Sequence, residues 1–358
     1  MKATQQLNRL GQSLWLDNIT RDLLNSGTLK RYIDEFSVTG LTSNPTIFDN
    51  AITHSKSYDQ EIGELLTRGF TGEALFFELA IEDLTRASEL FTPIHEKTAT
   101  VDGWVSLEVS PLLAYDTKAT VAEAARLSKK ANRRNLFIKI PGTKEGLPAI
   151  EEAIFAGVSI NVTLLFTREH YVAAADAYLR GIERRIEAGL SPDVRSVASL
   201  FISRWDKSTM EKVPDKLRDR LGPAIGQQTY KAYRDLLESE RWQRLQGLGA
   251  RPQRLLFAST GTKDPKASDV LYIGALAAPN TIDTMPEETL LAFAQHGKVG
   301  SAVARDGGDC EEVIADFGKA GINVGKLGTD LQAEGAKAFV SSWQDLLKAI
   351  SSKSKTLK

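Results

Sequence analysis

Short apolar runs, each about the length of one strand, recur along the chain. Between them lie longer stretches in which apolar residues return every three or four positions. The short runs predict strands near residues 14–18, 38–44, 104–110, 136–141, 158–166, 195–203, 254–259 and 279–284. The longer stretches predict amphipathic helices near 21–36, 71–91, 120–131, 144–156, 168–188, 286–296 and 311–320. Strand alternating with helix is the pattern of parallel β/α units, and eight strands predict an α/β fold closed into a (β/α)8 TIM barrel. A doubly wound open sheet is the competing arrangement. It expects a glycine-rich phosphate turn after the first strand, whereas Asp17-Asn18-Ile19-Thr20 holds no glycine.

Length leaves the domain count open at 358 residues, since barrels of this kind run well past 250 residues as one unit. The pattern predicts one barrel domain over 1–358 with helical insertions near 55–103 and 205–251, the second broken at Gly222-Pro223. A helix near 329–351 carries Phe339, Trp343, Leu346, Leu347 and Ile350 on one face. That face predicts packing across the barrel or its mouth, with a homodimer contact as the alternative. The terminal 351–358, rich in lysine and serine, is expected to fray.

Composition narrows the partners. Forty-five basic residues against 46 acidic give a formal net charge of −1 and no basic stripe to follow a phosphate backbone, so nucleic acid is not expected. The single cysteine, Cys310, permits no internal disulfide and reads as an ordinary thiol in a reducing compartment. No charged leader followed by an apolar run precedes Asp17, and nowhere do 18 apolar residues stand in succession. A soluble, cytoplasmic protein with no membrane contact is expected.

Candidate chemistry begins with Lys139, the one charged residue in Asn135-Leu136-Phe137-Ile138-Lys139-Ile140-Pro141-Gly142. An ammonium in an apolar strand is costly unless paired, which favours the neutral, nucleophilic amine. A strand lysine whose stem packs and whose head reaches water is the alternative. Side chains alternate across a barrel strand. With Leu136, Ile138 and Ile140 facing the helices, Lys139 faces inward. The same parity turns in Asp17, Glu108, Thr42 and Asn44, then Asn161, Thr163, Ser199, Phe201 and Ser259.

Each of these polar residues has a plainer reading. Asp17 could cap the helix near 21–36, and Glu108 could be half of a buried ion pair with Lys139. Asn44-Pro45 could be a turn, and Asn161 and Thr163 satisfied core polars. Their joint inward parity near the carboxyl ends of strands, where barrel enzymes place their chemistry, favours an active site.

The same segments carry a family resemblance. Leu41-Thr42-Ser43-Asn44-Pro45-Thr46-Ile47-Phe48, Ile138-Lys139-Ile140-Pro141 and Asn161-Val162-Thr163-Leu164-Leu165-Phe166 resemble transaldolase motifs. Val105-Ser106-Leu107-Glu108-Val109, Ser199-Leu200-Phe201-Ile202-Ser203-Arg204 and Ala258-Ser259-Thr260 also fit, so the resemblance runs from Leu14 to the C-terminal helix. It implies a (β/α)8 enzyme of the pentose phosphate pathway that moves a dihydroxyacetone unit between sugar phosphates. Sedoheptulose 7-phosphate and glyceraldehyde 3-phosphate would give erythrose 4-phosphate and fructose 6-phosphate. It implies Lys139 as the Schiff-base lysine and Asp17 as the carboxylate that takes the hydroxyl proton during bond cleavage. Glu108 and Thr163 would hold the water of imine formation and hydrolysis, while Asn44, Asn161 and Ser199 would bind the dihydroxyacetone hydroxyls.

The protonated imine is itself the electron sink, so no metal or organic cofactor is expected. The four histidines, His54, His95, His170 and His296, show no close ligand spacing. Arg204 has the fork geometry suited to phosphate, the role the resemblance implies for it, with a surface ion pair to Asp206 or another acid as the alternative. One departure stands out. Ser259-Thr260-Gly261-Thr262-Lys263 places a lysine where some transaldolases carry an arginine closer to the serine, a version that resembles a longer-chain branch of the family. Two other functions compete with transfer: a Schiff-base aldolase that releases its three-carbon unit, and a catalytically silent sugar-phosphate binder.

Overall fold

A computed structural model describes residues 1–357. Eight parallel strands form its centre: β1 Ser13–Asp17, β2 Val38–Thr42, β3 Val105–Glu108, β4 Leu136–Pro141, β5 Ile160–Leu165, β6 Ser196–Phe201, β7 Gln253–Ala258 and β8 Ile282–Met285. The continuous sheet runs β2-β1-β8-β7-β6-β5-β4-β3. Its two edges meet at a parallel bridge between Gly40 and Trp104, extended by the Leu41 N–H donating to the Trp104 carbonyl at 2.9 Å. Eight parallel strands closed at that seam, with helices between them, are the expected (β/α)8 barrel. A Cβ on Gly40 would stand 2.7 Å from both the Trp15 ring and the Trp104 carbonyl, so only glycine lets the seam close over Trp15.

An aromatic layer lies beneath the polar residues. Phe137 sits two residues before Lys139 and Trp15 two before Asp17, so each lies on the same inward face one layer down. Trp104 stacks on Phe137 at 4.1 Å between ring centroids, and the Trp15 ring lies 6.2 Å from Phe137. The Trp15 indole N–H is satisfied by Asp102 Oδ1 at 2.8 Å. Beneath it the same Asp102 accepts from the Ser13 hydroxyl, to which Arg254 donates at 2.7 Å, so a separate buried polar network closes the bottom of the barrel.

Several boundaries differ from the sequence expectation. The helix expected near 21–36 is two, Arg21–Asn25 and Thr28–Phe36, separated by Gly27 at φ 74°. Gly222-Pro223 does not break the second insertion but falls in the first turn of the helix Leu221–Glu238, where proline costs no intrahelical hydrogen bond. The first insertion holds the expected two helices, Asp59–Thr67 and Gly72–Lys97.

The C-terminal helix is longer than expected, Val324–Thr356. Its apolar face lies over the barrel mouth and against the helix Pro45–His54, burying Phe339, Trp343, Leu346 and Ile350 within the chain. Trp343 meets Phe76 edge-on at 5.0 Å. This is the expected packing across the barrel mouth. Among the described residues no helix is long and apolar enough to cross a membrane.

Candidate active site

Strand register assembles the site. Glu108 pairs with Lys139 across β3 and β4, and Lys139 with Asn161 across β4 and β5, so the three stand in one layer. Asp17 pairs with Thr42 across β1 and β2. Above this layer, at the carboxyl ends of the strands, opens a cavity of about 510 Å³. Asp17, Thr42, Asn44, Lys139 and Thr163 line one part of it; Ser199, Phe201, Arg204, Ser259 and Lys263 line the rest. Two expected site residues do not reach its wall. Glu108 is buried beside Lys139, and Asn161 is fully buried beneath Ser199.

The Lys139 ammonium donates to the Ser43 backbone carbonyl at 3.0 Å. Its nearest carboxylate oxygen, Glu108 Oε2, lies 3.8 Å away, within ion-pair range but too far for a hydrogen bond. Both Glu108 oxygens are buried without a hydrogen-bond partner. Burial pushes the Glu108 carboxyl up to about 7; the nearby Lys139 charge opposes the rise and the Asp17 charge adds to it.

Asp17 does not cap a helix. Thr20 caps the helix Arg21–Asn25 instead, its hydroxyl accepting from the Leu23 N–H at 2.9 Å. The Asp17 carboxylate accepts from the Thr42 hydroxyl at 2.7 Å, and Thr42 in turn lies 2.7 Å from the Thr284 hydroxyl. Burial raises the Asp17 pKa, while Lys139, the Thr42 hydrogen bond and Lys263 pull it down. A carboxylate raised in this way is a stronger base than a solvated one.

The remaining polar groups divide into satisfied and free. Ser199 donates to Asn161 Oδ1 at 2.7 Å, and the Asn161 amide donates to the Ser106 hydroxyl at 3.2 Å. Asn161 thus reaches the cavity only through Ser199. The Asn44 side-chain oxygen accepts from the Ile47 N–H at 3.1 Å and caps the helix Pro45–His54. Asn44-Pro45 is the start of a helix, and the turn reading fails there. The Thr163 hydroxyl is buried with no protein partner.

The other end of the cavity is cationic. Arg204 stands 5.3 Å from the Phe201 ring centroid, and burial lowers its pKa against the raising effect of Glu334. Asp206 turns away from it. That carboxylate accepts from the Leu221 and Gly222 N–H groups and from the Tyr272 hydroxyl at 3.0 Å, so the Arg204–Asp206 pair does not form. Ser259, at φ 56°, lies 2.9 Å from the Ser203 hydroxyl, linking the ends of β6 and β7. Phe201 packs against Phe166 at 5.3 Å and Phe339 at 6.4 Å, giving one wall an apolar lining.

Sequence reading missed part of the lining: Thr46, Ile47 and Asn50 from the helix Pro45–His54, and Thr284 from β8. The helix had a signal, an asparagine followed by proline, which is an N-cap with proline at the first helical position. Thr284 lay inside an expected strand whose parity was not assigned.

A family model described as "Transaldolase/Fructose-6-phosphate aldolase" matches residues 14–350. A protein named "Transaldolase 2" from Streptomyces coelicolor is 41% identical, the match covering 99% of this chain and 98% of that protein. "Transaldolase" from Arthrobacter sp. strain FB24 is 42% identical over 96% of this chain and 95% of its own length. "Transaldolase" from Mycolicibacterium paratuberculosis is 42% identical over 95% of this chain and 94% of its own length.

Proposed function

The chain belongs to the transaldolase/fructose-6-phosphate aldolase family, and we infer that it is a transaldolase, a transferase that carries a dihydroxyacetone unit between sugar phosphates. The observation that supports this most is one amine, Lys139, in the same barrel layer as a carboxyl raised to about 7, with a second carboxylate, Asp17, on the wall of the same cavity.

The chemistry divides among the groups as follows. The Lys139 amine adds to the C2 carbonyl of the ketose phosphate, and water leaves to give an iminium. Glu108 supplies and recovers the proton for that water, with Thr163 holding it; both are buried polar groups with unused hydrogen-bonding capacity. Asp17 takes the C4 hydroxyl proton, the C3–C4 bond breaks, and its electron pair moves into the iminium to form an enamine. The aldehyde fragment leaves. An incoming aldose phosphate is attacked by the enamine, Asp17 returns the proton, and water releases the new ketose from Lys139. Ser199 and Asn44 orient the three-carbon hydroxyls, with Asn161 fixing Ser199. Arg204 and Lys263 receive the phosphate, and Ser259 helps to place it. Sedoheptulose 7-phosphate and glyceraldehyde 3-phosphate are the assigned pair, and a single barrel domain working in the cytoplasm is the setting.

Transfer is favoured over release of the three-carbon unit by the apolar wall of Phe201 and Phe339, with Phe166 packed behind Phe201, which keeps water from the enamine until an acceptor arrives. The test is borohydride reduction in the presence of fructose 6-phosphate, followed by peptide mapping and an acceptor titration. A reduced adduct on the Lys139 peptide and formation of sedoheptulose 7-phosphate that depends on added erythrose 4-phosphate are expected. An adduct on another lysine rejects the mechanism; three-carbon product released without an acceptor makes the protein a lyase.

A further inference from the structure

β5 contains an irregularity at the position that matters most for Thr163. Its register against β6 slips between Val162 and Leu165: Thr163 lines the cavity, and Leu165, two residues on, pairs with Leu200. Leu164 supplies the extra residue at φ 60°, a left-handed conformation that a leucine adopts only when its surroundings impose it. Thr163 keeps the inward parity of Asn161, in regular register with β4, and the bulge begins at the next residue, so the Thr163 backbone is one edge of the bulge.

What imposes the bulge comes from the far end of the chain. Its two carbonyls are each held: the Gly142 N–H donates to Thr163 O at 2.7 Å, and the Gln332 amide donates to Leu164 O at 2.9 Å. The same Gln332 nitrogen donates its second hydrogen to Gly142 O at 3.1 Å. Both amide hydrogens of one side chain therefore join the ends of β4, which carries Lys139, and β5, which carries Thr163. Gly335, one turn further along the C-terminal helix, allows this close approach, for a Cβ there would stand 3.0 Å from Leu164 Cδ2.

We propose that Gln332 is a positioning residue for imine chemistry: its amide fixes the β5 bulge and thereby the aim of the Thr163 hydroxyl relative to Lys139. The proposal rests on the assignment of Thr163 to the water of imine formation and hydrolysis. It separates two steps. Losing the clamp slows making and hydrolysing the imine, and leaves cleavage of the C3–C4 bond, which depends on Asp17 across the barrel, unaltered.

The experiment compares Gln332→Met, which keeps length and loses both donors, with Gln332→Lys, which keeps donors, and with Thr163→Ala. Imine formation is timed by rapid borohydride quench after mixing with fructose 6-phosphate. The bond-making step is timed by adding glyceraldehyde 3-phosphate to enzyme already loaded with the three-carbon unit. Gln332→Met is expected to slow imine formation by about tenfold to a hundredfold, the scale of a small misplacement of a catalytic group. The second step is expected to be unchanged, Gln332→Lys to keep most of the wild-type rate, and Thr163→Ala to resemble Gln332→Met. If Thr163→Ala slows imine formation while Gln332→Met does not, or if Gln332→Met and Gln332→Lys are equally slow in both steps, Gln332 only docks the helix and the proposal is overturned. If Thr163→Ala leaves imine formation unchanged, the role given to Thr163 fails and the proposal fails with it.

Discussion

Lys139 donates to the Ser43 backbone carbonyl, and the Ser43 hydroxyl donates to the Ser106 carbonyl at 2.8 Å. The amine is thus anchored through main chain across the β2–β3 seam, while its carboxyl neighbour, Glu108, remains 3.8 Å away. Anchoring and proton transfer are assigned to different groups.

Glu108→Gln should therefore leave Lys139 in place and still allow its slow reductive trapping. Rates that include imine formation and hydrolysis should lose the titration near pH 7 that the raised Glu108 carboxyl gives the wild type. A pH profile of kcat/KM checks this; an unchanged limb near 7 would assign it to another group.

Asp17→Asn should slow bond cleavage by about 10²-fold or more, the usual contribution of a general base, while the imine still forms and is trapped. Because Thr20 is the helix cap, the variant should fold with undiminished stability. It should gain stability at neutral pH, since a carboxyl whose pKa burial raises is a destabilising anion there. Thermal melting distinguishes this outcome from loss of a cap, which would lower stability by about 1 kcal/mol.

Arg204→Lys keeps the charge and removes the bidentate fork. The KM for phosphorylated substrates should rise by roughly tenfold, corresponding to about 1.4 kcal/mol, with kcat little changed. Dihydroxyacetone transfer from unphosphorylated fructose should be unaffected. Equal losses with both substrates would mean that Arg204 supports the fold of the mouth.

Asp283 lies on β8 facing away from the cavity, with the Thr260 hydroxyl donating to Oδ1 at 2.7 Å and Oδ2 buried without a partner. Burial raises its pKa to about 7. Below about pH 4 both folded and unfolded chains hold the proton. As pH rises from about 4 to 7 the unfolded chain releases it first, so stability falls across that window and stays lower above it. Asp283→Asn should stabilise the protein at pH 8, by roughly 2–4 kcal/mol from the size of the shift, and leave it nearly unchanged at pH 4. Denaturant unfolding at the two pH values measures the difference.

The strands and inward residues were readable in the sequence because a barrel strand is a period-two object: once Ile138 and Ile140 face the helices, Lys139 has no other direction. Asp17, Thr42, Thr163, Ser199 and Phe201 line the cavity for the same local reason. Parity could not supply depth. Glu108 and Asn161 share the inward face and the layer of Lys139, yet of the three only the long Lys139 side chain reaches the cavity wall. Nor could it foresee the slip at Leu164, which depends on carbonyls meeting an amide 168 residues away in sequence. Arg204 had a nearby acid in sequence, but Asp206 is consumed by the backbone of the following helix.

The clamp at Gln332 also orders events during synthesis. Lys139 and Thr163 have been made well before Gln332, and the barrel's last strand, β8, ends at Met285. A ribosome-bound chain that has completed all eight strands still lacks the donors that hold the β5 bulge and the Phe339 that closes the wall. Under the mechanism proposed above, competence to hold an enamine would wait until the C-terminal helix has emerged and docked, and a nascent barrel would have the lysine without the shelter for its intermediate.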